Sequence, residues 1–102
     1  EYMEYLIFWA RKTNYKKSLG LNGKHCAMGW MLIGHGWNPE EKDKKNFTAY
    51  TQLKDNVEHI SGGHSNSFLI QITRANDHPE EGTSADAVEK IIREHFQKHA
   101  TK

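Results

Sequence analysis

"CAMGWMLIGHG", residues 26–36, begins with an almost continuous apolar run, since only Gly29 interrupts the apolar residues over 26–33. The run is far shorter than the roughly 18 apolar residues that a membrane-spanning helix needs. A short helix that is apolar on all sides is typical of a buried one, and Gly34 and Gly36 supply its end. We therefore expect a buried helix over 26–33 against which the other segments pack.

Two segments before residue 62 carry apolar residues at helical spacing. Residues 2–12 read as an amphipathic helix with cations at its C-terminal end. "NPEE", residues 38–41, combines an Asn N-cap with Pro at the first helical position, which predicts a third helix that starts near Pro39. The following charged stretch has no apolar stripe, so we expect a break or exposed turn before Phe47, after which apolar spacing resumes as far as Ile60.

The remaining segments predict one or two further helices. In "SFLIQITRAND", residues 67–77, the apolar residues alternate as in a strand but also suit a helix, and we favour the helix because no partner strand is evident. Thr83, with Asp86 three residues later, predicts the N-terminal cap of a last helix that places Val88, Ile92 and other apolar residues on one side.

The sequence as a whole predicts one mainly α domain over residues 1–102, a bundle of four to five helices. The Asn22-Gly23 pair is a strong signal for a tight turn, which leaves open a short hairpin around residues 19–26.

The composition predicts a soluble, cytoplasmic protein. One cysteine excludes a disulfide within the chain and favours a reducing compartment, and neither a membrane-spanning segment nor a signal-peptide pattern is evident. The formal net charge is only +1, with the charges interleaved, so nucleic acid is an unlikely partner. A weak nucleic-acid binder remains a second alternative, with one candidate basic patch at Lys12, Lys16, Lys17 and Lys24 beside Tyr15.

Two segments carry a resemblance to known proteins: "NGKHCAMGWML", residues 22–32, and "ITRANDHPEEGTSADAVEKIIREHF", residues 72–96. Their Cys-Ala-x-Gly step and downstream Asn-Asp pair resemble a family of small uncharacterised bacterial and phage domains, a domain of unknown function. The resemblance implies an α-rich single domain. It implies no activity and transfers no catalytic role to Cys26, Gly29, Asn76 or Asp77.

Cys26 admits two interpretations. A helix N-terminus lowers the pKa of a thiol, so Cys26 with His64 as base and Asn76 or Asp77 as orienting group would match the order of a cysteine-dependent hydrolase. The interpretation we favour is structural: Cys26 is a small buried residue beside Ala27 and Gly29 that lets another helix approach closely. The Asn76-Asp77 pair is then expected to fix the connection into the last helix.

The histidines of the sequence are candidate metal ligands. His95 and His99 lie one helical turn apart, but a third ligand such as Cys26 or His78 would have to come from elsewhere in the fold. We expect neither a metal nor another cofactor.

These observations favour a non-enzymatic interaction or regulatory module that binds a protein partner or itself as a homodimer. Its expected partner-binding residues are Trp30, Trp37 and Met31, because so much apolar surface in one short segment is difficult to bury within a small domain.

Overall fold

The computed structural model describes residues 1–13, 25–40, 45–80 and 82–99. Within these ranges the chain forms five α-helices and no strand, which confirms the predicted mainly α bundle. The hairpin considered around residues 19–26 falls on residues that lie, except for the last two, outside the described ranges. The helices are α1 (Tyr2–Ala10), α2 (Ala27–Ile33), α3 (Lys45–Ser61), α4 (Ser65–Asp77) and α5 (Ser84–Lys98).

The helices enclose one core to which every helix contributes. The most extensive helix pair is α4 with α5, and α1 packs on both α2 and α5. The Cα radius of gyration is 12.8 Å, which is the value expected for a compact chain of this length. The buried apolar side chains are Leu6, Ile7, Ala10, Cys26, Ala27, Met31, Leu32, Ala49, Leu53, Val57, Phe68, Leu69, Ile72, Val88, Ile92 and Phe96.

The predicted cap of the last helix is confirmed. The Thr83 hydroxyl accepts a hydrogen bond from the Asp86 N–H at 3.1 Å, which satisfies one of the backbone donors that a helix start leaves without an intrahelical partner. Val88, Ile92 and Phe96 follow at intervals of four and are buried. Capping fixes where α5 begins, and this apolar stripe fixes which side faces the core.

The ambiguous segment is a helix, α4. A strand would have buried Phe68, Ile70 and Ile72 together, because alternate residues share one face. In the structure Phe68, Leu69 and Ile72 are buried while Ile70 is 57% exposed. The buried residues therefore follow the i, i+1, i+4 spacing of one helix face and not the alternation of a strand.

The predicted start of the third helix at Pro39 is wrong. Pro39 and Glu40 form a turn in which the Asn38 carboxamide oxygen accepts the Glu40 N–H at 3.0 Å, and α3 begins at Lys45. Residues 41–44 lie outside the described ranges. The physical reason at these residues is that the Asn38 side chain closes a turn with the Glu40 N–H, which competes with a helix start, while the exposed Pro39 and Glu40 side chains contribute no packing energy.

The predicted buried helix is α2, and glycine ends it. Gly36 adopts a φ of +103°, and the Trp37 N–H reaches back to the Leu32 carbonyl at 3.0 Å. Gly34 has a second role, since a Cβ there would lie 2.6 Å from Cδ1 of Trp9. Gly34 therefore lets the Trp9 indole of α1 lie directly on α2.

Candidate functional site

Cys26 is the N-cap of α2 and is only 2% exposed. Burial is the largest influence on its thiol and raises the pKa, while the backbone N–H groups of Gly29 and Met28 lower it and the charge of Asp77 raises it. The net direction is upward. A thiol whose pKa is raised stays protonated at neutral pH, and the thiolate is the reactive form, so the helix N-terminus does not make Cys26 a nucleophile.

Asn76 is the polar centre of this end of the molecule and is fully buried. Its carboxamide oxygen accepts from the Ala27 N–H at 3.1 Å and from the Thr13 hydroxyl at 2.6 Å, and its amide donates to Asp77 at 3.2 Å. Its backbone carbonyl accepts from the Ser84 hydroxyl at 2.6 Å. One residue of α4 thus joins the segment after α1, the first residue of α2 and the first residue of α5.

The structure brings Cys26 and Asn76 into neighbouring positions but leaves His64 apart from them. His64 precedes the first residue of α4, and Asn76 lies near the last, so roughly 18 Å of helix separates them at 1.5 Å per residue. A general base must lie within hydrogen-bond reach of the group it deprotonates. The combination of Cys26, His64 and Asn76 or Asp77 that a hydrolase would need is therefore not assembled.

Gly29 is explained by His25, a residue that the sequence analysis did not single out. A Cβ at Gly29 would lie 3.1 Å from Cβ of His25. The His25 ring is buried and packs edge-on against Trp30 at 5.5 Å and Trp37 at 5.7 Å between ring centroids. The small residue thus accommodates the preceding segment of the same chain. The sequence does not indicate this contact, because His25 is only a polar residue directly before an apolar run.

Iodoacetamide is expected to label Cys26 near neutral pH only after the protein is unfolded, because the thiol is buried and its pKa is raised. The measurement is the rate of alkylation by mass spectrometry with and without denaturant. A Cys26→Ala/Thr51→Cys variant is the control, because Thr51 is exposed on α3 and its thiol should react in the native protein. Labelling of native wild-type protein as fast as this control would restore a reactive cysteine.

Of the three residues predicted to bind a partner, Met31 is not at the surface of the domain. Its side chain is fully buried in the core, because it lies on the side of α2 that faces the rest of the bundle. Trp30 and Trp37 are partly buried, and Trp37 packs against the core. The two tryptophans thus keep some accessible surface.

Most of the exposed aromatic surface at this side of the molecule lies on α1. Phe8 is 59% exposed and Tyr5 43%. Ring centroids lie 5.5 Å apart for Phe8 and Trp9, 6.4 Å for Tyr5 and Trp9, and 6.3 Å for Trp9 and Trp30, which are stacked. The ammonium of Lys12 lies 4.7 Å above the Phe8 ring. We call Tyr5, Phe8, Trp9 and Trp30 the aromatic surface.

The α1 part of the aromatic surface was not predicted, because the apolar stripe of residues 2–12 indicates an amphipathic helix but does not distinguish its exposed residues from its buried ones. The available signal was the width of that stripe: nine-residue α1 has one acidic residue and otherwise apolar or aromatic side chains. A helix that packs on one side only cannot bury all of them.

No metal site is evident within the described ranges, where no group of three or more His, Cys, Asp or Glu side chains is placed to hold an ion. His95 and His99 are close, with ring centroids 4.8 Å apart, but Nε2 of His95 lies 3.2 Å from the Ser61 hydroxyl. Among the same residues, no helix is long and apolar enough to cross a membrane.

The helices and their packing define a small all-α domain in which Tyr5 and Phe8, two exposed aromatic residues of α1, adjoin the contact between α1 and α2. The chain matches no protein-family model, no curated protein and no solved structure.

Proposed function

We propose that the protein is a non-enzymatic interaction module that binds a protein partner through the aromatic surface. The observation that carries the proposal is the exposure of Phe8 and Tyr5 beside the stacked Trp9 and Trp30. Aromatic side chains are enriched at protein interfaces, and contiguous exposed apolar surface is uncommon on a protein that acts alone. The buried, protonated state of Cys26 and its distance from His64 support a non-enzymatic role.

Charge favours a different protein over a second copy of this chain. No acidic residue occurs between Glu4 and Glu40. The Lys12 ammonium lies over the Phe8 ring of the aromatic surface, so two copies that met there would bring like charges together, whereas complementary potentials favour association. The proposed partner therefore carries an acidic residue beside an apolar contact.

Nucleic acid is supported less well. Arg11 is engaged by Asp86 at 2.8 Å and Glu89 at 2.7 Å, and Lys12 lies over aromatic rings. Phosphate binding needs several cations directed outward. A cytoplasmic location, and membership in the family of small bacterial and phage domains, remain predictions from the sequence.

A photo-cross-linking amino acid at position 8 tests the proposal in the cells that produce the protein. We expect Phe8 replaced in this way to cross-link a discrete protein, because a side chain at the centre of an interface is covered by the partner. The control is the same amino acid at Phe47, which is 72% exposed on α3 and does not belong to the aromatic surface. The readout is the mass and identity of the adducts on denaturing gels.

Three outcomes would contradict the proposal. Cross-linked adducts of equal yield at positions 8 and 47, or an absence of adducts at both positions, would mean that no partner binds specifically at the aromatic surface. An adduct of twice the chain mass would indicate a homodimer, which light scattering over a dilution series into the high micromolar range would verify. A nuclease-sensitive adduct would favour nucleic acid.

A further inference from the structure

Three histidines meet at the end of the bundle opposite to Asn76. The rings of His64 and His99 are stacked with centroids 4.1 Å apart, and His95 lies 4.8 Å from His99. His64 belongs to the turn between α3 and α4, whereas the other two lie in the last turn of α5 and directly after it. These rings are therefore the contact between the C-terminal end of α5 and the α3–α4 turn.

The backbone of the turn orients His64. Gly62, Gly63 and His64 have φ values of 66°, 110° and 69°, three successive residues in the left-handed region. This conformation is easy for glycine and uncommon for a residue with a side chain. It reverses the chain after Ser61 within three residues and places the His64 ring on that of His99.

The buried member of the cluster, His95, is held as a neutral ring. The Ser61 hydroxyl lies 2.6 Å from the Val57 carbonyl and 2.8 Å from the Gly63 carbonyl, between which its single proton is shared, so its oxygen is left to accept from Nε2 of His95 at 3.2 Å. Phe68 packs on the other side of the imidazole, 4.6 Å away between centroids. A second proton on this ring would place a charge in an apolar environment.

We propose that His64, His95 and His99 form a proton-sensitive latch, which holds the end of α5 on the α3–α4 turn at neutral pH and releases it in mildly acidic solution. Stacked neutral imidazoles attract one another through their ring contacts, but two imidazolium rings at these separations repel. Proton uptake therefore opposes the closed arrangement.

The pKa values agree with this direction. Burial, followed by the nearby His99 and His64, lowers the pKa of His95 to about 4, and partial burial with His64 and Lys98 lowers that of His99. When the end of α5 is released, its histidines regain the ordinary pKa of about 6.5. Between pH 6.5 and about pH 4, the released segment therefore binds more protons than the closed one. The closed state is thus fully favoured above about pH 6.5 and is weakened progressively as the pH falls toward about 4.

Among the described residues, no carboxylate is hydrogen-bonded to these three rings. Glu58 of α3 instead accepts from the Ser65 hydroxyl at 2.6 Å. α1 approaches through Tyr2, whose ring lies against Phe96 and whose pKa of about 12 keeps it neutral. Ionisable side chains near the three histidines in sequence include His59 of α3 and Glu94 and Lys98 of α5, and His35, which follows α2, is bonded to Tyr2.

Amide hydrogen exchange between pH 7.5 and 5, corrected for the intrinsic pH dependence, tests the latch. The logarithm of protection at the end of α5 should fall as the pH drops below about 6, by about one per pH unit for the proton that His95 takes up on opening and by a further amount for His99. Amides near Leu53 and Val57 in the middle of α3 should lose less, because the opening is local.

A His64→Asn/His99→Gln variant should lower that slope, because the proton uptake of His99 is lost and the neighbouring rings no longer lower the pKa of His95, and Asn tolerates the left-handed conformation. His78→Gln is the control, since His78 is exposed at the other end of α4 and its loss should leave the slope unchanged. A slope near zero in wild-type protein, or the same slope in the double variant, would overturn the proposal.

If the double variant does not fold at pH 7.5, the ring resonances of the wild-type histidines decide. Midpoints for His95 and His99 below that of His78 would support the latch. Midpoints at the ordinary value of about 6.5 would refute it.

Discussion

Replacing Phe68 by alanine is expected to lower the free energy of unfolding by about 3–5 kcal/mol, the range found for truncating large aromatic residues in cores. Phe68 is fully buried on α4 and packs against Phe96 of α5, with ring centroids 5.7 Å apart. These helices form the most extensive pair, so the cavity would open where the bundle is most tightly joined. Domains of this size have a total stability of about 5–15 kcal/mol, so the loss is a large fraction of it.

Ile70→Ala is the matched control, because Ile70 lies two residues away on the same helix and is 57% exposed. Its change should stay within about 0.5 kcal/mol, since little apolar area is lost and alanine is the better helix former. Equilibrium urea unfolding, followed by circular dichroism, gives both values. Similar costs for Phe68 and Ile70 would mean that both faces of the segment are buried, contrary to the helical arrangement.

The local features of the fold could be predicted wherever one short segment carried its own signal. Thr83 and the apolar stripe of α5 specify a helix start and a buried face, and both appear as predicted. Pro39 shows the limit of such signals. Asn38 and Pro39 form a favourable helix start, yet residues 39 and 40 form a turn.

The candidate sites depend on contacts between distant segments, which local patterns do not contain. His64 and His99 are 35 residues apart and stack only because the α3–α4 turn and the end of α5 meet. The Trp9 ring can occupy its position only because Gly34, directly after α2, has no side chain. Phe8 could be recognised as exposed only after α2 and α5 had been placed against α1. Spacing along one helix identifies a buried face but does not measure how much of it the rest of the chain covers.

At Asn76 a signal from the local sequence coincides with contacts to distant segments. Replacing Asn76 by alanine is expected to lower the free energy of unfolding by about 2–3 kcal/mol. The substitution removes the acceptor of two donors at once, the Ala27 N–H and the Thr13 hydroxyl. The Ala27 N–H is in the first turn of α2, where no intrahelical carbonyl can replace the lost acceptor. A buried donor deprived of its acceptor costs about 1–3 kcal/mol.

Asn66→Ala is the control for Asn76→Ala, because Asn66 is exposed on the same helix and its replacement should change stability by about 0.5 kcal/mol or less. Urea unfolding at pH 7 provides the comparison. If both alanine variants lose the same stability, Asn76 does not join the helices through its side chain, and the described hydrogen bonds contribute nothing measurable.

Asn76→Asp separates the two functions of the carboxamide. The aspartate keeps an oxygen acceptor for Ala27 and Thr13, but the amide that donates to Asp77 at 3.2 Å becomes a second carboxylate. Two carboxylates at this separation repel, and one of them takes up a proton more readily than usual. We expect a loss of at least about 1 kcal/mol at pH 7, relative to wild-type protein at the same pH, that shrinks as the pH falls toward 4.

A variant as stable as wild type at pH 7 would show that the two accepted hydrogen bonds suffice. A loss that does not change with pH would exclude repulsion by Asp77 as its cause, since protonation of either carboxylate must relieve it.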